Sequence, residues 1–209
     1  MFDWDGTIID SASTIAQCIR LAAADLALPV PSEKQAKHVI GLGLHDALRG
    51  AVPSLAPERV AQFVERYREQ FRVREDAMDL FAGMRALIER LSDERTLCIA
   101  TGKSRRGLDR ALDATGLRRY FRASRCADET QPKPHPAMLR ELVAEIGVPA
   151  DNALMIGDTS HDLEMARAAG VDALAVTYGA HAAAGLLGCA PRGCVASVAE
   201  LGQWLAANG

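Results

Sequence analysis

ALMIGDTSHDLEMARAAGVDALAVT (residues 153–177) carries the fold in miniature. Two short apolar runs, ALMIG (153–157) and ALAVT (173–177), flank an amphipathic stretch at 160–169 that Gly170 closes. Strand, helix and strand in that order form a parallel pair, because parallel strands need a crossover of about a dozen residues or more. Such crossovers are almost always right-handed. Upstream the same rhythm repeats: a helix at 83–91, TLCIAT (96–101) as a strand, a helix at 104–115 ended by Gly116, YFRASRC (120–126) as a strand, and a helix at 136–146. A last helix is expected over about 197–207. Alternating short apolar strands and amphipathic helices imply an α/β fold with a parallel sheet covered on both faces.

The first strand is different. The chain opens MFDWDGTIIDS (1–11), with only Met1 and Phe2 before Asp3. Strands usually run about 5–6 residues, so this one is expected to be short at its N-terminal end. A long helical block follows. Ile15, Cys18, Ile19, Ala22 and Leu26 recur at helical spacing over Ser11–Leu28. Ser32 and Gln35 read as a capping box for a second helix. IGLGL (40–44) is a glycine-bearing loop. Pro57 suits the first turn of a further helix carrying Val60, Phe63, Val64, Tyr67 and Phe71. The expected architecture is a doubly wound parallel-sheet (Rossmann-like) core, residues 1–13 and 78–209, with an all-helical insertion over 14–77.

Composition narrows the class. The chain has 209 residues, 49% of them hydrophobic, a net charge of −3 and a pI near 6.0. A nucleic-acid partner would call for a basic face, and no run is apolar and long enough to cross a bilayer. The five cysteines fall in no metal-hook or redox spacing and read as small apolar residues. A cytoplasmic protein acting on a small molecule is the expectation.

Ligands of open parallel sheets bind beyond the carboxyl ends of the strands, and the polar residues gather there. Met1-Phe2 ends in Asp3-Trp4-Asp5-Gly6-Thr7, TLCIA in Thr101-Gly102-Lys103, and ALMIG in Asp158, with Asp162 four residues on. QPKPHP (131–136) sets Lys133 between prolines. Acids crowded on one edge repel unless a cation neutralises them, and carboxylate and carbonyl oxygens suit a hard divalent ion, Mg²⁺ first. Magnesium is commonly held by one or two carboxylates together with substrate phosphate, which points to a small phosphorylated metabolite. A carboxylate can attack phosphorus to form an aspartyl-phosphate, while a second carboxylate in reach serves as acid and base. Asp3 and Asp5 suit those two tasks if Gly6 turns the chain. Thr101 and Lys133 suit the phosphoryl oxygens.

The segments FDWDGTIIDS, IATGKS, KPHP and MIGDTSHDLEMARAAG, in this order, resemble the four motifs of the haloacid dehalogenase-like hydrolases. The resemblance spans essentially the whole chain. It implies Asp3 as nucleophile and Asp5 as acid/base. It places Mg²⁺ on Asp3, Asp158 and the Asp5 carbonyl, with Asp162 supporting the metal directly or through water. Thr101 and the Gly102 amide would hold phosphate, with Gly6 turning the chain beside it and Lys133 orienting and neutralising. Asp5, which the dehalogenase branch lacks, favours a phosphatase. The helical block resembles a C1-type cap, and the overall pattern looks most like the phosphoglycolate phosphatase-like members.

Taken singly, each feature has a plainer explanation. Asp158, Thr159 and Ser160 suit a helix cap, Thr101-Gly102 a strand-to-helix turn, and Lys133 a surface lysine. Their order and common edge argue for the joint reading. His161 is expected to be exposed. Arg20, Arg49 and Gly43 are substrate-facing candidates in the insertion, or solvated helix charges and a turn. Two other readings remain open at this level: a phosphoaspartate signalling module, and a catalytically impaired or regulatory member with a deficient first strand.

Overall fold

The computed structural model describes residues 1–208; Gly209, the last residue of the expected core, lies outside them. The helical block comprises α1 (Ala12–Asp25), α2 (Glu33–His38), α3 (Leu44–Ala51) and α4 (Val60–Arg72). Then follow α5 (Met84–Glu94), β1 (Cys98–Thr101), α6 (Arg105–Thr115), β2 (Ala123–Cys126), α7 (Ala137–Ile146), β3 (Leu154–Gly157), α8 (Ser160–Ala169), β4 (Asp172–Val176), α9 (Ala183–Leu187), β5 (Gly193–Val195) and α10 (Val198–Asn208). The capping box at Ser32 and Gln35 is formed. Pro57 opens a short 3-10 turn that leads directly into α4. No strand falls between residues 14 and 77.

Every strand pairing is parallel: β1 with β2, β3 with β4, and β4 with β5. Between β1 and β3 lies the opening of the chain. Phe2 bridges Ile99 on one side and Ile156 on the other, both in parallel. The Phe2 amide donates to Cys98 O (2.9 Å) and Phe2 O accepts from Ala100 N (2.9 Å). On the other edge, Asp3 N donates to Ile156 O and Met1 O accepts from Ile156 N, each at 2.9 Å. The expected short first strand is therefore a stub with hydrogen bonds on both edges. It joins two half-sheets into the order β2–β1–stub–β3–β4–β5.

Side-chain alternation splits the core into two layers. Phe2, Trp4, Leu97, Ile99 and Ile156 pack with Met84 and Ile88 of α5, Leu108 of α6, and Leu201 of α10. Met1, Cys98, Ala100 and Met155 face the other way, onto Met138, Leu139 and Leu142 of α7 and Met165 of α8. The helical block has an apolar cluster of its own, running from Ala12 to Phe71. It leaves and rejoins the rest of the chain through a narrow antiparallel neck. There Ile9 bridges Leu80, Asp10 N donates to Asp79 O (2.9 Å), and Phe81 N donates to Ile8 O (3.1 Å).

Three details depart from the sequence reading. The strand expected over 120–126 begins only at Ala123, because Arg118–Tyr120 close a 3-10 turn after α6. β5 and α9 were not anticipated. Three residues starting with glycine give no strand periodicity, and five residues around Gly185 give no helical one. β5 is a strand because β4 offers it a free edge, at Leu174↔Gly193, Ala175↔Cys194 and Val176↔Val195.

Phe2 is 2% exposed at the centre of the sheet. Phe2→Ala should lower unfolding free energy by about 3–5 kcal/mol, the usual cost of emptying a buried aromatic site. Denaturant titration checks this; a loss below about 1 kcal/mol would mean that the half-sheets hold together without the stub.

Candidate active site

The carboxyl end of the sheet brings together residues more than a hundred positions apart. Asp3 follows the stub, Asp158 follows β3, and Asp162 lies in the first turn of α8. All three are at most 1% exposed. Each turns a carboxylate oxygen to a common point, with those atoms within 4.8 Å of one another. Lys133, itself fully buried, sets its ammonium 2.7 Å from Asp3 Oδ1 and 2.6 Å from Asp162 Oδ1. Burial works against that ammonium, but Asp162 and Asp3 outweigh it and raise the lysine pKa.

One cation does not balance three acids. Burial pushes the Asp3 carboxyl well above its usual range, Lys133 pulls it down, and Asp162 and Asp158 push it up again. Burial, then Asp162, pushes Asp158 up to about 7. Asp158 is positioned by the Thr7 hydroxyl (2.8 Å to Oδ1) and the Ala180 amide (2.7 Å to Oδ2). Asp162 closes a capping box with Thr159, accepting from its amide (3.1 Å) and hydroxyl (2.7 Å). Asp3 Oδ2 is buried and has neither an ion pair nor a hydrogen-bond donor among the described residues. A surplus of negative charge and an unsatisfied buried oxygen fit an all-oxygen site for a hard divalent cation.

Asp5 stands apart from that cluster. Its Oδ1 accepts from the Ser11 hydroxyl (2.8 Å), and Lys103 Nζ lies 3.0 Å from both of its oxygens. Ser11, at the start of α1, makes no side-chain cap; its hydroxyl is spent on Asp5. The Lys103 ammonium also sits 4.9 Å from the centroid of the Phe71 ring on α4. Lys103 escaped sequence reasoning, although it belongs to the quoted Thr101-Gly102-Lys103 cluster. The signal available was its place one residue past the glycine turn at a strand end.

The two glycines are explained by space. Gly6 has φ +78°, and a side chain there would run into the Asp158 carboxylate. At Gly102 a Cβ would stand 2.5 Å from Gly41 O and 2.6 Å from Leu42 O, so the loop after α2 lies directly on the turn after β1. Thr101 is fully buried at the end of β1, its hydroxyl accepting from the Lys103 amide (3.2 Å). A cavity of about 420 Å³ opens above Asp3 and Asp5, lined by α1, α3, α4, the 39–42 loop and the start of α6. Ser104 and Arg106 line it. Arg20, Arg49 and Gly43 do not: Arg20 donates to Pro31 O (3.1 Å), Arg49 is exposed, and Gly43 packs against Pro132.

His161 is half-buried rather than exposed. Its Nε2 lies 2.9 Å from His38 O, and His181 Nε2 lies 3.1 Å from the same carbonyl. The three rings cluster with centroids 5.1–5.8 Å apart. Burial lowers both pKa values, to about 4 for His181, and so favours the uncharged imidazoles. They fasten the end of α2 to the sheet edge beside Asp158 and Asp162. No sequence spacing foretold this, because the contacts span 123 and 143 residues.

Comparison with known proteins bears on the fold and the family. A family model described as haloacid dehalogenase-like hydrolase matches residues 1–176. "Probable phosphatase IndB" of Dickeya dadantii is 35% identical over 208 residues, covering 96% of this chain and 90% of that protein. A "Phosphoglycolate phosphatase" of Yersinia pseudotuberculosis is 31% identical over 185 residues, 85% of this chain and 80% of that one. Among solved structures, a hydrolase from Pseudomonas syringae superposes with a TM-score of 0.90 at 21% identity, over 99% of this chain and 96% of that one, and so shares its fold. With the family model spanning most of its length, this chain belongs to the haloacid dehalogenase-like hydrolase family.

Proposed function

We propose that the chain is a Mg²⁺-dependent phosphatase that hydrolyses a small phosphate monoester through an aspartyl-phosphate. The observation that carries this reading is Asp3. One oxygen is paired with buried Lys133 and the other is unpartnered, on the floor of a cavity beside two further acids. The phosphatase names of the relatives support it, and phosphoglycolate is the first ester to assay because one of those names specifies it.

In the first step the Asp3 carboxylate attacks phosphorus, the ester P–O bond breaks, and Asp5 gives its proton to the departing alkoxide. In the second, Asp5 takes a proton from water as that water attacks the phosphoryl group, releasing inorganic phosphate and freeing Asp3. Lys133 holds Asp3 in line and offsets charge on the phosphoryl oxygens, with the Thr101 hydroxyl and Gly102 amide as further donors. Ser11 and Lys103 fix the rotamer of Asp5. Asp3, Asp158, Asp162 and the Asp5 carbonyl would hold the metal, which when bound supplies positive charge for the phosphoryl group and the carboxylates. Residues 14–77 would act as a cap over the core formed by 1–13 and 78–209, opening to admit substrate and closing to exclude water. The two-sided hydrogen bonding of the stub favours a competent centre over an impaired one. No described helix is long and apolar enough to cross a membrane; we place the enzyme in the cytoplasm.

Asp3→Asn should lower kcat on a generic aryl phosphate with Mg²⁺ by roughly 10⁴-fold or more, as removal of a nucleophile does, with an unchanged circular-dichroism spectrum. Turnover within tenfold of the parent would sink the aspartyl-phosphate route.

The raised carboxyl of Asp158 gives a second test. In the metal-free fold it keeps a proton to about pH 7, whereas the unfolded group releases it near 3.8. The folded state therefore binds more protons between those values, and stability falls as pH rises through that window. The Tm of chelator-treated protein should drop between about pH 5 and 7.5, and Mg²⁺ should raise Tm more at the upper value than at the lower. An equal Mg²⁺ shift at both would place the ion elsewhere.

A further inference from the structure

The cavity above Asp5 is built from two kinds of wall, and their chemistry restricts what can leave phosphorus. Ile15 and Ile19, one turn apart on α1, face it together with Val39, Leu44 of α3, and Tyr67 and Phe71 of α4. Its volume of about 420 Å³ falls in the range of small-molecule sites, ~300–1,000 Å³. A phosphoryl group at Asp3 would leave most of that space to the organic part of the ester. The Tyr67 hydroxyl is the polar tip in this wall, and burial, then nearby Asp5, raises its pKa well above the ordinary value. It stays a neutral phenol there.

The cations lining the cavity are already committed or at its rim. Lys103 is the most enclosed of them, with a side chain 12% exposed, and it is paired with Asp5. Arg72 and Arg68 reach Glu65, at 3.1 and 3.8 Å, and Arg110 reaches Glu75 at 3.1 Å. The side chains of these three arginines are 45–57% exposed, so water and salt screen them. Arg106 is exposed too. A carboxylate on the leaving group would enter among isoleucines, lose its hydration, and meet Asp5 with no enclosed cation to spare.

We infer that the preferred substrate is a phosphate monoester of an apolar alcohol, alkyl or aromatic, rather than of a small hydroxy acid. This rests on the phosphatase reading for the reaction, but not for the binding. Each methylene that enters an apolar pocket adds to affinity, by roughly a factor of three or four. A charged end added to a chain of the same length lowers it.

The test uses binding as well as turnover. Alkylphosphonates from methyl to pentyl, and phosphonoacetate as the carboxylated counterpart, are titrated by calorimetry into the full chain with Mg²⁺ present. The corresponding phosphate esters, with phosphoglycolate, are assayed for kcat/KM. The expected result is a dissociation constant falling roughly threefold per methylene until the cavity fills, phosphonoacetate binding at least tenfold more weakly than the propyl compound, and kcat/KM following the same order. Leu44→Lys, at a half-buried residue lining the cavity, should flatten the chain-length series and bring phosphonoacetate to parity. A flat series, or phosphonoacetate binding more tightly than the propyl compound in the parent, overturns the inference. Chain-length-dependent binding with no ester hydrolysed would uphold the pocket and defeat the phosphatase reading. Turnover with phosphoglycolate as the best ester would do the reverse.

Discussion

The ammonium of Lys133, enclosed on all sides and within 2.7 Å of Asp3 and 2.6 Å of Asp162, is the charge around which the sheet edge is organised. It arrives from the segment after β2, Asp3 from the first residues of the chain, and Asp162 from the start of α8. Removing one partner of such a pair typically costs about 3–5 kcal/mol, because the other charge is left buried and bare. The same pairing fixes which Asp3 oxygen stays unpartnered. Stability and chemistry thus draw on one arrangement. Asp158 lies outside the pairing and relies on the Thr7 hydroxyl and the Ala180 amide instead, which leaves the cluster short of positive charge.

That arrangement depends on the stub. Met1 and Phe2 exchange backbone hydrogen bonds with both β1 and β3. Strands at the centre of a parallel sheet are buried on both faces. Here Phe2 fills one face and Met1 the other. Asp3 then emerges at the carboxyl end with no freedom to drift, and Gly6 bends the chain away before a side chain would strike Asp158.

The helical block meets this edge at three kinds of contact. Its neck pairs residues 8–10 with 79–81. The 38–42 loop rests on Gly102 and takes two imidazole donors at His38 O. Phe71 lies over Lys103, which in turn grips Asp5. An element that moves relative to the sheet would have to release the last two while the neck flexes. The residue beside Asp5 is therefore tied to the position of the helices, and the cavity between them is lined mainly by their apolar faces.

The fold was legible from residues 83–177 because alternation of apolar runs with helical periods is a local signal. The same holds for the capping box at Ser32 and for the glycines that end α6 and α8. The acids Asp3, Asp158 and Asp162 were legible as well, since the first two follow apolar strand runs, Asp162 stands four residues after Asp158, and open parallel sheets collect their ligands there. β5 was not, because three residues have no period and become a strand only when β4 presents an unpaired edge. Lys103 on Asp5, Ser11 as its second donor, and the convergence of His38, His161 and His181 belong to packing. Sequence by itself determined which acids and hydroxyls stand at the sheet edge. Tertiary structure alone decided which cation serves which acid and what kind of wall lines the cavity above Asp5, because those contacts join segments whose separation along the chain leaves no pattern to read.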